Sequence, residues 1–170
     1  MGKGKLIWIT GLSGAGKTTI GTKLYNYLKS KDNGVILFDG DALRSVYQST
    51  DYSDEGRMNN ARMTNRLCKL LTDQGLDVIC CIVGMNEEIR KLNRHSIENY
   101  YEIYLKVDID ELIRRDQKQL YSRALRGEIE HLPGINMDFD EPHNPDIIIE
   151  NYGNLNPDDA LKMIIDKFDF

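Results

Sequence analysis

No run of apolar residues in this chain approaches the length needed to span a bilayer, and no block of Lys and Arg stands out. Its 22 basic residues are scattered and outnumbered by 27 acidic ones, for a net charge of −5. A nucleic-acid surface as the main business is thereby disfavoured, with room left for a local basic pocket. The N-terminus carries no apolar segment of the signal-peptide kind, which points to a cytoplasmic setting. Cysteine is scarce and badly spaced for zinc: Cys68, Cys80 and Cys81 lie inside apolar stretches and read as reduced core thiols. Repeats, low-complexity runs and linkers are also missing. A chain of 170 residues, 41% of them apolar, is expected to form one domain, 1–170, with a substantial core.

What the chain does contain is Gly11-Leu-Ser-Gly-Ala-Gly16-Lys17-Thr18, directly after the apolar run Leu6–Thr10. The pattern is G-x-x-x-x-G-K-[ST], set between a β-branched, aromatic strand and a segment with Ile20, Leu24, Tyr27 and Leu28 at helical spacing. Glycines free of a Cβ let successive N–H groups converge on phosphate oxygens, and the helix start adds its positive dipole end. The expected triphosphate cradle is Gly11, Ser13, Gly14, Ala15, Gly16, Lys17, Thr18 and Thr19. Lys17 would reach the β- and γ-phosphates, and the Thr18 hydroxyl would ligate Mg²⁺.

Beyond the first helix, Lys31–Gly34 has turn chemistry, and Val35–Phe38 reads as a buried strand. It ends in Asp39-Gly-Asp41, two carboxylates where parallel sheets place their ligands. Asp41 alone could also be the N-cap of the next helix. Ser53 caps a long helix with Met58, Ala61, Leu67, Leu70 and Leu71 towards the core. Gly75 ends it, and Leu76–Val83 reads as a strand buried on both sides. A polar helix with Arg90 and Arg94 follows, then a strand over Tyr100–Val107 and a short helix over Asp108–Arg114. From Gln117 to about Asn144 the chain is charged and poor in core residues, with one helical piece, Leu120–Ile129. Such an excursion suggests a lid, approximately 117–140. Asp146–Glu150 is the fifth strand, and Asn156-Pro157 opens a last helix with Leu161, Ile164, Ile165 and Phe168 on one face. The alternation predicts an α/β fold: a five-stranded parallel sheet with helices on both faces.

A triphosphate loop admits several protein classes. A switch GTPase needs a guanine-reading N-K-x-D, which does not occur, and the chain is too short for a mechanical ATPase. A small-molecule kinase needs a phosphate cradle, Mg²⁺, an acid for the acceptor hydroxyl, arginines for the migrating charge and a lid against water. Asp39 and Asp41 supply the acids, Arg57, Arg62 and Arg115 the cations. Asp41 would receive or orient the hydroxyl, while Asp39 holds a Mg²⁺-bound water or supports Asp41. The sequence does not order these two roles. From a different class, a regulator that binds nucleotide without turnover is countered by the intact Lys17, Thr18, Asp39 and Asp41.

The strings GLSGAGKTT, FDGDALR, YSDEGRMNNAR, RRDQKQLYSRALRGEIEHLPGIN and EPHNPDI resemble, in order, those of the adenylylsulfate kinase family. The resemblance covers almost the whole chain. It implies a P-loop kinase fold, ATP with Mg²⁺, and phosphorylation of a ribose 3′-hydroxyl on a nucleotide-like acceptor. It places Asp39, Asp41, Arg44, Arg57, Asn60 and Lys118 around acceptor and transferring phosphate, and Arg115 on the ATP side. It also suggests a homodimer.

Three departures accompany it. Thr50-Asp51-Tyr52 stands for the family's L-G-F, and Leu132-Pro133-Gly134-Ile135-Asn136 for its F-T-G-I-D. The family sandwiches an adenine between those two phenylalanines; here Tyr52 and Leu132 would face the base. The family's F-I-S-P-Y-R is replaced by Ile82–Glu87, turning an arginine into an acid. A branch of this family acts on cytidine diphosphoramidate to supply phosphoramidate for surface glycans. Resemblance to that branch makes a pyrimidine acceptor with a P–N end the favoured expectation and adenylylsulfate the alternative.

Overall fold

A computed structural model describes residues 2–31 and 34–170. The turn expected over 31–34 thus has Asp32 and Asn33 outside the described residues. Among the described residues, five parallel strands, β1 (Leu6–Thr10), β2 (Val35–Asp39), β3 (Asp77–Cys81), β4 (Tyr100–Lys106) and β5 (Ile147–Glu150), form one sheet in the order β2-β3-β1-β4-β5. The helices are α1 (Lys17–Ser30), α2 (Gly40–Val46), α3 (Asp54–Asp73), α4 (Glu87–Ser96), α5 (Ile109–Arg115), α6 (Leu120–Leu125) and α7 (Pro157–Phe168).

β1 lies in the middle of the sheet and all five of its residues are buried, four of them apolar and the fifth, Thr10, donating its hydroxyl to the Val83 carbonyl. Its alternation divides the core. Ile7 and Ile9 pack with Ile20, Leu24 and Leu28 of α1 and with Ile164 of α7, while Leu6 and Trp8 pack with Leu43 of α2, Cys68 of α3 and Ile89 of α4. Each such aliphatic side chain contributes roughly 1.5–3 kcal/mol on burial. In register, Ile9 and Asp39 both flank Cys81, so β1 and β2 end together over the tip of β3. That shared carboxyl edge is where a doubly covered parallel sheet opens a crevice.

Several local expectations change. The helix expected over Leu120–Ile129 stops at Leu125, because Gly127 takes a left-handed conformation (φ 75°) and its N–H turns back to the Ala124 carbonyl. Leu70, expected in the core, is 58% exposed. α3 instead buries Thr64, Asn65, Cys68 and Thr72. Asn65 can go inside because its Nδ2 donates to Asn93 Oδ1 at 2.8 Å and Ser96 Oγ at 3.0 Å on α4. The polar helix α4 likewise buries Arg90, whose Nε lies 3.6 Å from buried Glu102 on β4. The segment read as poor in core residues is anchored by Tyr121, Ala124 and Leu132, all buried. The three cysteines are free and buried, as expected. No helix among the described residues is long and apolar enough to cross a membrane.

Candidate active site

The loop after β1 turns on positions that a side chain could not occupy. A Cβ on Gly11 would lie 2.5 Å from the Leu105 carbonyl oxygen, and one on Gly16 would lie 2.6 Å from Asn151 Nδ2. Gly16 starts α1 in the left-handed region (φ 94°), and no side chain caps that helix. In contrast, Asp39, Ser53, Asn86 and Asn156 cap α2, α3, α4 and α7. The first N–H groups of α1 therefore keep their donor capacity, and its first turn has no acidic residue to repel an anion. The cradle fits a triphosphate.

Lys17 is half-buried, and its ammonium donates to the carbonyls of Gly11 and Leu12, both at 2.8 Å. Burial lowers its pKa to about 8, against the raising influence of Cys81, Asp39 and Asp41. Two contacts fix the loop from outside: Tyr121 Oη donates to Ser13 O at 2.7 Å, and Asn151 Nδ2 donates to Ala15 O at 2.7 Å. Arg115, expected on the ATP side, donates to Glu111 Oε1 at 2.8 Å and to Asn151 O at 2.7 Å. It therefore supports the residue that holds the loop.

Asp39 settles which carboxylate caps the helix. Its Oδ1 accepts from Asp41 N at 2.9 Å, so the N-cap of α2 is Asp39, not Asp41. Its Oδ2 accepts from Thr18 Oγ1 at 2.6 Å. A hydroxyl and a carboxylate at the mouth of a phosphate cradle are oxygen donors of the kind that Mg²⁺ takes, so these residues fit that ion. Asp41 is left with an exposed carboxylate, paired with Lys118 Nζ at 2.8 Å. That pairing raises the Lys118 pKa.

Beside the cradle opens a cleft of 1420 Å³. Asp41, Arg44, Tyr52, Arg57, Asn60, Lys118 and Leu132, the expected acceptor residues, all line it, together with Ser13 of the phosphate loop. Arg44 donates to Asp51 O at 2.8 Å and lies 4.1 Å from the Tyr52 ring centroid. Arg57 donates to Tyr52 O at 3.0 Å and across to His131 O at 2.7 Å, tying α3 to the loop that carries Leu132. Burial and the neighbouring Arg44 lower its pKa. Asn60 Nδ2 donates to Ser49 Oγ at 2.8 Å. Leu132 is 5% exposed, so much of its side chain packs into the core beneath the cleft.

Arg62, counted with the cations for the migrating charge, is not brought to the cleft. It points along α3 to Glu88 on α4, at 2.7 Å. Four contributors escape sequence reasoning: Tyr121 and Asn151, which hold the loop, Arg90, and Asp140. Tyr121 belongs to the K-x-L-Y of the resemblance, which carried no role for it, and the other three stand in no motif whose chemistry calls for them. Only Asn151, directly after the fifth strand, occupies a position where α/β sheets place functional groups.

The family model described as adenylylsulphate kinase matches residues 3–150. Among curated proteins, the chain is 43% identical over 162 residues to a cytidine diphosphoramidate kinase of Campylobacter jejuni, covering 95% of each chain. It is 38% identical over 163 residues to an adenylyl-sulfate kinase of Pseudomonas aeruginosa, covering 94% of this chain and 83% of that one. Among solved structures, a Mycobacterium tuberculosis APS kinase in complex with AMPPNP and APS superposes over 100% of both chains, with a TM-score of 0.92 and 29% identity.

Proposed function

The chain belongs to the adenylylsulphate kinase family of P-loop phosphotransferases, and from that premise we propose that it moves the γ-phosphate of ATP to the ribose 3′-hydroxyl of cytidine diphosphoramidate. The observation that carries the transfer is the convergence of Asp41, Lys118, Arg44, Arg57 and Asn60 on one cleft that also reaches the phosphate loop. The Campylobacter relative favours the amidate as acceptor.

In this reading the amides from Gly11 to Thr19 hold the β- and γ-phosphates, and Lys17 exchanges its own loop carbonyls for phosphate oxygens. Thr18, with Asp39 through a water, would hold Mg²⁺, which when bound neutralises charge on the phosphates. Asp41 aims the acceptor hydroxyl and takes its proton as the new O–P bond forms and ADP leaves. Lys118 passes from Asp41 to the transferring group. Arg44 and Arg57 meet the acceptor's own phosphates, and Tyr52 stacks on its base. The segment 117–140 closes over both ligands and excludes water. The product supplies phosphoramidate for a surface glycan.

The second reading, adenylylsulfate as acceptor, is favoured by the superposition on an APS-bound kinase. A side-by-side turnover assay with ATP, Mg²⁺ and each acceptor decides between them. The amidate is expected to have the higher kcat/KM; faster use of adenylylsulfate would overturn the proposal.

A further inference from the structure

The cations of the cleft are unevenly placed. Arg44 and Arg57 come from α2 and α3, and Lys118 and Arg123 from the segment after α5, whereas the wall made by Gly84–Asn86 and Met137–Asp140 contributes none. The nearby guanidinium, Arg90, is buried and spent: it donates to Gly84 O at 3.1 Å and Glu141 O at 3.2 Å and faces Glu102. Lys106, also near, pairs with Glu141 at 3.8 Å. This wall presents two carboxylates to the cleft, Asp138 and Asp140.

Asp140 is the one held in place. Its backbone N–H donates to Met85 O at 2.9 Å, and its Oδ2 accepts from Glu87 N at 3.1 Å, at the start of α4. The N-cap Asn86 takes the Ile89 N–H at 3.3 Å. Where a helix start could attract a terminal sulfate or phosphate of an acceptor, this chain has seated its own carboxylate, followed by Glu87 and Glu88 in the first turn. Oδ1 of Asp140 accepts no hydrogen bond among the described residues, and the residue is exposed at the cleft.

Resting on the acceptor reading above, we propose that Asp140 determines specificity for the acceptor's terminal group. It accepts a hydrogen bond from an N–H-bearing end, such as a phosphoramidate nitrogen, and repels an oxyanion in the same place. The discrimination is made by a fixed acceptor that an amide-type nitrogen satisfies and an additional negative oxygen does not.

The test measures kcat/KM, with ATP and Mg²⁺, for cytidine diphosphoramidate and for cytidine diphosphate, which differ in a terminal NH2 against an oxygen. The wild type is expected to prefer the amidate by about tenfold or more. Asp140→Asn keeps an oxygen for the Glu87 N–H and removes the charge. It is expected to bring the ratio to within about threefold of one, chiefly by lowering KM for cytidine diphosphate. A carboxylate that only braced the loop would depress both acceptors alike, so an unchanged ratio in Asp140→Asn overturns the role while leaving the acceptor reading intact. Asp138→Asn, on the same loop without the bond to α4, is expected to keep the wild-type ratio. An equal shift in that variant would make the effect a diffuse field and overturn the assignment to Asp140. Turnover of adenylylsulfate with neither cytidine acceptor used would overturn the acceptor reading and the inference together.

Discussion

The Thr18 hydroxyl donates to Asp39 Oδ2 at 2.6 Å, joining the first turn of α1 to the end of β2 across 21 residues of sequence. The other oxygen of the same carboxylate caps α2. One side chain thus sets both the mouth of the phosphate cradle and the helix that presents Asp41.

The two duties of Asp39 are separable. Asp39→Asn keeps an oxygen for the Asp41 N–H, so its thermal midpoint is expected to stay near wild type. Its Mg²⁺ dependence is expected to shift about 10–100-fold, as for an outer-shell ligand. Asp39→Ala loses the cap as well, at a further cost of about 1 kcal/mol. Mg²⁺ titration of turnover, paired with thermal unfolding, checks both. Unchanged Mg²⁺ dependence in Asp39→Asn would remove the residue from the metal's surroundings.

If Lys17 meets the triphosphate as proposed, binding is expected to be proton-linked. Its pKa of about 8 lies below the 10.5 of an ordinary lysine, and phosphate oxygens favour the charged form. ATP binding at pH 8–9 is therefore expected to take up protons and to weaken as pH rises. Calorimetry in buffers of different ionisation enthalpy measures the uptake, which Lys17→Met abolishes. Stability has its own sign: between pH 8 and 10.5 the unfolded chain binds more protons at this site, so its contribution rises with pH. Urea unfolding of wild type and Lys17→Met across that window reads the difference.

Asp41 and Lys118 meet in the open, with side chains 76% and 73% exposed. Such a pair contributes less than about 1 kcal/mol to folding, so neither Asp41→Asn nor Lys118→Ala should move the unfolding midpoint appreciably. Activity should respond far more. Asp41→Asn is expected to lower kcat by about 10²–10⁴-fold, the span of a lost general base, with ATP binding retained. Acceptor-dependent ADP release at wild-type rate in Asp41→Asn would refute its place in the reaction.

Arg90 faces Glu102 in the interior, and Tyr100 Oη and Arg94 Nη2 contact the other carboxylate oxygen at 3.1 and 3.4 Å. Arg90→Met leaves that buried acid undercompensated and is expected to cost about 3–5 kcal/mol at neutral pH. Burial already raises the Glu102 pKa, and losing Arg90 raises it further. Because the protonated acid needs no cation, the penalty shrinks as pH falls towards the ordinary glutamate range. Denaturant unfolding at pH 7 and pH 5 should show that narrowing, and adding Glu102→Gln should recover part of the loss.

Strand and helix order could be read from sequence because each element is announced within a few residues: the branched run of β1, the Ser53 and Asn156 caps, the glycine at 75. The phosphate loop was legible for the same reason, since backbone geometry between a strand and a helix leaves little choice of residue. The residues expected around an acceptor came from the resemblance, and the structure brings them to one cleft. Leu70 misled because hydrophobic spacing cannot anticipate that α3 and α4 would share an amide seam through Asn65 and Asn93. Gly127 ended α6 early because a glycine's left-handed turn outweighs the helical spacing of the two residues after it.

The amino-acid order alone determined that a bare-backbone loop would sit between β1 and α1, with a carboxylate pair after β2, because both are written in contiguous residues. Only the tertiary structure decided how the long side chains were spent: Arg62 on Glu88, Arg115 on Glu111 and Asn151, Arg90 on Glu102 and two carbonyls, Asp140 on the head of α4. Each of those groups could reach several partners. Parallel crossovers bring together elements tens of residues apart, and the choice falls to whichever opposite charge, carbonyl or free N–H lies within ion-pair or hydrogen-bond reach once the layers close.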